Sequence, residues 1–256
     1  MKKITLCLCA AALATCLLAS CEETVPAVSD GFGREPGNTY TTPADSVPED
    51  IPPDDGTITV CIDPGHGFDD VGTTSSYLGD WGEKDVTLSI ALFLKTELEN
   101  RGYRVHLLHD GVTLPRGPED DGNNLLKPAE RIALVRGTDI DYYVSVHCDS
   151  YEADKSVMGT RIYCAEGTSF AKKSKSSATK IMDAINALLP DAKKARVIEK
   201  KYDEAYYVIR EAPVPSTLIE VGFVTNPTDA ANMLDETWRG TIARGIADGI
   251  DAFFAE

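Results

Sequence analysis

The chain has 256 residues, 43% of them hydrophobic, with 41 acidic against 25 basic side chains and a net charge of -16. That length and apolar content suit one full-sized domain with a proper core and a short appendage. The acidic balance argues against a nucleic-acid partner, because phosphate binding calls for a basic surface that this sequence lacks.

In chain order, the first segment is "MKKITLCLCAAALATCLLASC". Lys2 and Lys3 precede an apolar run from Ile4 to Leu18, too short for a comfortable permanent span and typical of an export signal. It closes on Leu18, Ala19, Ser20 and Cys21, which resembles the lipobox of bacterial lipoproteins. The resemblance implies that residues 1–20 are removed and that Cys21, as the new first residue, carries lipid. Stable anchoring takes more than one acyl chain, which lipoprotein processing supplies. An ordinary signal peptide that happens to carry cysteines is the alternative. Cys7, Cys9 and Cys16 leave with the signal, so Cys61, Cys148 and Cys164 remain, an odd number that argues against a disulfide framework. Cys61 and Cys148 lie in apolar runs, where a thiol behaves as a small hydrophobe. From Cys21 to Asp55 the chain holds six of the fourteen prolines, several acids and no periodic pattern, and reads as a solvated tether of about 30 Å mean span.

From residue 56 to 256, strand-like and helix-like segments alternate. "TITVCID" is a near-continuous apolar run suited to a buried strand. A helix follows from about Glu83 to Asn100, with Val86, Ile90, Phe93, Leu94 and Leu98 on one face and Gly102 as its stop. "YRVHLLH" and "DYYVSVHCD" read as further buried strands, with a short helix around Ala129 to Arg136 between them. "GTRIYC" makes another strand, and "SSATKIMDAINALL" a helix with Ile181, Ala184, Ile185 and Leu188 inward. "STLIEVGF" is the last buried strand. Asn226 before Pro227 marks a helix cap, and the final helix carries Trp238, Ile242, Ile246, Ile250 and Phe253. Such alternation predicts a single α/β domain with a mostly parallel twisted sheet and helices on both faces.

Three candidate residues fall at strand ends. His66 follows the first strand between Gly65 and Gly67, His147 ends "YYVSVH", and Glu220 lies near the end of "STLIE". In open α/β sheets the carboxyl ends of the strands gather ligand-binding residues, and Glu83, opening the first helix, lies on the same rim. Two histidines and a carboxylate are a recurrent ligand set for one catalytic zinc ion, so His66, Glu83 and His147 fit it and Glu220 is the spare carboxylate. Zinc acidifies bound water, and a nearby carboxylate can take its proton. Gly65 and Gly67 are expected to let the backbone turn and to leave room for metal and substrate beside His66. His106 and His109 lack glycine flanks and read as ordinary strand and loop histidines. Strand alternation points Cys148 away from His147.

"IDPGHGFDDVG", "EKDVTLSIALFLKTELENRGYRV", "AERIAL", "DYYVSVHCDS", "GTRIYC" and "PSTLIEVGFVTNPTDAANML" together resemble the zinc-dependent N-acetylmuramoyl-L-alanine amidases of the amidase type 3 family, in order over nearly all of Thr57 to Ala255. The resemblance implies zinc ligands at His66, Glu83 and His147 and a catalytic glutamate at Glu220. It also implies cleavage of the amide between N-acetylmuramic acid and L-alanine in peptidoglycan; with the lipobox, the expectation is a monomer held to an envelope membrane through its lipid and facing the wall, in the periplasm or at the cell surface. The family commonly has glycine where Phe68 stands and alanine where Thr73 stands, and Leu134-Val135 replace its usual Ala-Asn. The segment "AEGTSFAKKSKSS" is too short for the inhibitory helical insertion of some members, which predicts a site that needs no activator. A non-catalytic module binding stem peptides, and a zinc peptidase cutting within the stem, are the alternatives.

Overall fold

The computed structural model describes residues 55–189 and 194–256. The export signal, Cys21 and the tether up to residue 54 lie outside the described residues. In chain order the elements are β1 (Thr59–Pro64), α1 (Glu83–Asn100), β2 (Arg104–Leu107), α2 (Pro128–Val135), β3 (Tyr142–Asp149), β4 (Arg161–Ala165), α3 (Ala171–Leu188), β5 (Arg196–Lys200), α4 (Tyr207–Arg210), β6 (Ser216–Phe223), α5 (Pro227–Leu234) and α6 (Glu236–Phe254). They build one six-stranded sheet in the order β2-β1-β3-β6-β4-β5. Strands β2, β1, β3 and β6 run parallel, while β4 is antiparallel to β6 and takes β5 with it in parallel.

The sheet sorts its side chains by strict alternation. Val60 and Ile62 of β1, Tyr142, Val144, Val146 and Cys148 of β3, and Ile219 and Val221 of β6 join one core with residues of α1, α3, α5 and α6. Cys61, Tyr143, Tyr163 and Leu218 face the other way, against Ile132 and Val135 of α2 and Val208 and Ile209 of α4. The first face is therefore covered mainly by the long helices α1, α3 and α6, the second by the short helices α2 and α4.

Helix α1 begins and ends where its sequence says it should. Asp85 accepts from the Gly82 backbone NH at 2.8 Å, Val86, Ile90, Leu94 and Leu98 are fully buried, and the chain leaves through Gly102 at φ +89°. Asn226 caps α5 by accepting from the NH groups of Thr228 and Asp229. Helices α3 and α6 pack so closely that a Cβ on Gly249 would lie 2.3 Å from the Ile181 Cα.

Some elements depart from expectation. Strand β2 is half-buried throughout, because it forms the edge of the sheet and has a partner on one side. Helix α3 starts at Ala171 rather than near Ser176, since Ser174 and Ser177 sit on its inner face: Ser174 Oγ accepts from Ser216 NH, and the Tyr142 hydroxyl donates to Ser177 Oγ. Ile181 and Ile185 of that helix are buried, whereas Ala184 and Leu188 are half-exposed flanks. Strand β5, partly exposed, and the single-turn α4 were not anticipated, being too short and too polar to show a period.

Candidate metal centre and cleft

Strand β1 stops at Pro64 because the next residues cannot continue it. His66 at φ +62° and Phe68 at φ +58° are the non-glycine residues with positive φ among the described residues, and Gly67 between them sits at +118°. Phe68 takes a conformation that glycine adopts more readily, and sets its ring 5.2 Å from that of His109. The flanking glycines do not make room for metal and substrate as expected. A Cβ on Gly65 would meet the His147 ring at 2.5 Å, one on Gly67 the His109 ring at 2.9 Å, and one on Gly72 the His66 ring at 2.7 Å and Glu83 at 2.8 Å. They admit the rings and carboxylate of the site itself.

Glu83 is the hub. Its Oε1 accepts from the Cys148 backbone NH at 2.8 Å and lies 3.0 Å from His147 Nδ1, while Oε2 accepts from the Thr73 NH at 2.9 Å and lies 3.1 Å from His66 Nε2. Asp70, four residues after His66, holds the other ring nitrogen, Nδ1, at 2.8 Å. One ligand atom from each of His66, Glu83 and His147 falls within 4.8 Å of the others. Two donors on a tetrahedral ion with bonds near 2.0–2.1 Å sit about 3.3 Å apart, close to the 3.0 and 3.1 Å between each histidine nitrogen and its Glu83 oxygen. The carboxylate behind His66 is the outer partner that such ligands ordinarily have.

Charge is graded across the cleft. Burial alone would raise the Glu83 carboxyl, yet the two histidines hold it well below the usual carboxylate range. His66 is displaced upward: burial opposes its charge, but Glu83 and Asp70 outweigh that. Glu220, whose Cα is the register partner of His147 across β3 and β6, is 6% exposed. Burial first, then the charges of Glu83 and Asp149, push its carboxyl well above the ordinary value, with Arg161 offsetting in part. Its Oε2 is buried with no hydrogen-bond partner among the described residues. The sequence-predicted four thus converge: three form the cluster, and Glu220 lines the same cleft as His66 and His147. Cys148 is buried on the opposite face, and Cys61, Cys148 and Cys164 are all free thiols.

Sequence reasoning missed several neighbours. Asp70 could have been found from its i+4 spacing to His66. Arg131, a buried arginine, and Tyr206, on the cleft's lip against Tyr163 at 5.2 Å, carry no such local signal. His109 is more than a loop histidine: it is buried, and its Nε2 donates to Pro64 O at 2.9 Å, bracing the turn.

An open α/β sheet with a histidine, carboxylate and histidine group able to hold a metal at its carboxyl rim has the architecture of a metallohydrolase. The chain belongs to the N-acetylmuramoyl-L-alanine amidase family Amidase_3, whose sequence profile matches residues 60–252. It is 31% identical over 202 residues to the probable cell wall amidase LytH of Staphylococcus saprophyticus, covering 77% of this chain and 59% of that protein. The corresponding protein of Staphylococcus epidermidis is 29% identical over 201 residues, with 77% and 58% covered. The chain thus spans less than two thirds of the length of these relatives. Among solved structures, the N-acetylmuramoyl-L-alanine amidase AmiC2 of Nostoc punctiforme superposes with a TM-score of 0.65 at 25% identity, over 78% of this chain and 98% of that one. The N-acetylmuramoyl-L-alanine amidase of Clostridium difficile 630 gives 0.67 at 25%, with the same coverage.

Proposed function

We propose that this chain hydrolyses the amide between the lactyl group of N-acetylmuramic acid and L-alanine in bacterial peptidoglycan, with one zinc ion held by His66, Glu83 and His147. The observation that carries the reading is the convergence of these three ligand atoms within 4.8 Å beside a buried, unpartnered Glu220 oxygen. When bound, zinc supplies Lewis acidity toward the amide carbonyl and lowers the pKa of water from about 15.7 to about 7. Asp70 fixes the orientation of the His66 ring, and Thr73 and Cys148 NH groups fix the Glu83 carboxylate. Leu126, Pro128, Val208 and Leu218 line the cleft and keep bulk water from the reacting carbonyl. Glu220 Oε2 takes the proton of the attacking water and returns it to the leaving amine nitrogen.

Product mass spectrometry on zinc-loaded protein with purified peptidoglycan tests this. Stem peptides beginning with L-alanine and glycan bare at the lactyl group are expected. The Glu220→Gln variant keeps its metal and loses about 10² to 10⁴ in rate. Cuts within the stem would make the protein a peptidase, and bound substrate without products a binding module. The connection from β4, ending at Ala165, to α3, starting at Ala171, has no place for an inhibitory helix, which supports activity of the chain alone.

The LytH relatives are named cell wall amidases, which supports an envelope location. No helix of the described residues is long and apolar enough to cross a membrane. We infer attachment through lipid on Cys21, with the domain facing the wall as a monomer. Cys21→Ala should move the protein from the membrane fraction to the soluble one, and unchanged fractionation would refute the anchor.

A further inference from the structure

We propose that Arg131 is a positioning residue that aims His66 at the metal and, through the same guanidinium, ties the ligand turn to the wall of the cleft. The inference rests on the metal-site reading above. Arg131 stands on α2 and is 4% exposed, yet its donors leave the helix entirely. Nη1 donates to Asp63 Oδ1 at 2.5 Å and to Pro64 O at 2.7 Å, Nη2 donates to His66 O at 2.7 Å, and Nε donates to Leu126 O at 3.0 Å. The carbonyls of Pro64 and His66 bracket the Gly65 peptide, so the guanidinium grips both sides of the segment that turns left-handed at His66. With that backbone fixed, the His66 ring starts from a set position and is held between Glu83 Oε2 on one nitrogen and Asp70 on the other.

The anion opposite is built to hold the fork still. Asp63 is fully buried and also accepts from the Tyr143 hydroxyl at 2.5 Å and the Ser145 hydroxyl at 2.8 Å. Leu126, held by Nε, and Pro128 both line the cleft with His66, His147 and Glu220. One planar side chain therefore sets a ligand and a substrate wall in a common register. Lysine, a point charge on a flexible stem, keeps the pairing with Asp63 but cannot span three carbonyls in fixed directions. Lys84 holds the far half of the turn separately, by donating to Phe68 O at 2.7 Å.

The test uses the purified full-length chain in detergent. Zinc affinity is measured by competition with a chromophoric chelator, and ligand geometry by the visible absorption of the cobalt(II)-substituted protein. The wild type is compared with His66→Ala, Arg131→Lys and Ile132→Val, the last a neighbour on α2 that faces the core instead of the turn. Arg131→Lys is expected to fold, to lose about 10- to 100-fold in zinc affinity, as is usual for partners behind metal ligands, and to change the cobalt spectrum. Ile132→Val is expected to leave both unchanged. If circular dichroism shows that Arg131→Lys does not fold, Asp63→Asn, which loosens the guanidinium without removing it, must weaken zinc in the same direction. Wild-type affinity and spectrum in the folded variant, or an equal loss in Ile132→Val, would overturn the inference. A wild type that binds zinc, with loss only in His66→Ala, refutes the Arg131 role alone; a wild type that binds no zinc refutes the metal reading and this inference together.

Discussion

The two faces of the sheet are built to different ends. Against α1, α3 and α6 the strands present Val60, Ile62, Val144, Val146 and Ile219, and the helices answer with Leu94, Ile181 and Ile246, all fully buried and apolar. Against α2 and α4 the same strands present Asp63 and Ser145, fully buried and hydrogen-bonded to each other, and His147 and Glu220, which line the cleft beside a smaller apolar cluster. Because side chains alternate, each strand contributes to both faces with consecutive residues. The long-helix face supplies the burial that stabilises the fold, while the short-helix face spends buried polarity, satisfied by hydrogen bonds at Asp63 and Arg131 and left incomplete at Glu220.

If the division is real, it can be broken by mutating one face and reading the other. Ile246→Ala, deep in the long-helix core, is expected to cost about 2–5 kcal/mol in urea unfolding while the zinc affinity of the folded protein stays at the wild-type value. A parallel loss of metal binding would mean that the faces are not independent. Smaller, and opposite in sign, is the expected effect of Glu220→Gln on the metal-free protein. Burial and the charges of Glu83 and Asp149 raise the folded-state pKa of Glu220 above its unfolded value, so the folded state binds the proton more tightly. Stability is therefore lost as pH rises from the unfolded value of about 4.3 toward the folded one. At pH 7 with chelator, Glu220→Gln should unfold at higher urea than wild type, by less than the core deletion costs, and the gap should close below about pH 4. A variant less stable than wild type at pH 7 would show that Glu220 is satisfied and that its carboxylate does not oppose folding.

Legibility also differed between the faces. The apolar periodicity of "EKDVTLSIALFLKTELEN" placed α1 to its observed ends, and the unbroken runs of β3 and β6 placed those strands, because long helices and central strands write their burial into local pattern. The four site residues were legible for a related reason: His66 and His147 sit at or just past the ends of apolar strands, Glu83 opens a helix, and Glu220 interrupts an apolar strand, places where packing alone does not call for histidine or glutamate. Edge strand β5 and the serine-bearing start of α3 were not, since half-exposure and buried hydroxyls blur the period, and of edge strand β2 the position was legible but not the partial exposure.

By itself, then, the sequence determined the α/β alternation, the rim on which His66, Glu83, His147 and Glu220 gather, and the family to which those residues belong. The tertiary structure alone decided why Gly65 and Gly67 flank His66, which carbonyls Arg131 grips, and which carboxyl is left unpaired. Arg131 and Asp63 lie 68 residues apart, and Glu83 and His147 lie 64 apart. Hydrogen bonds and desolvation depend on neighbours brought together through space, whereas periodicity is a property of residues adjacent along the chain.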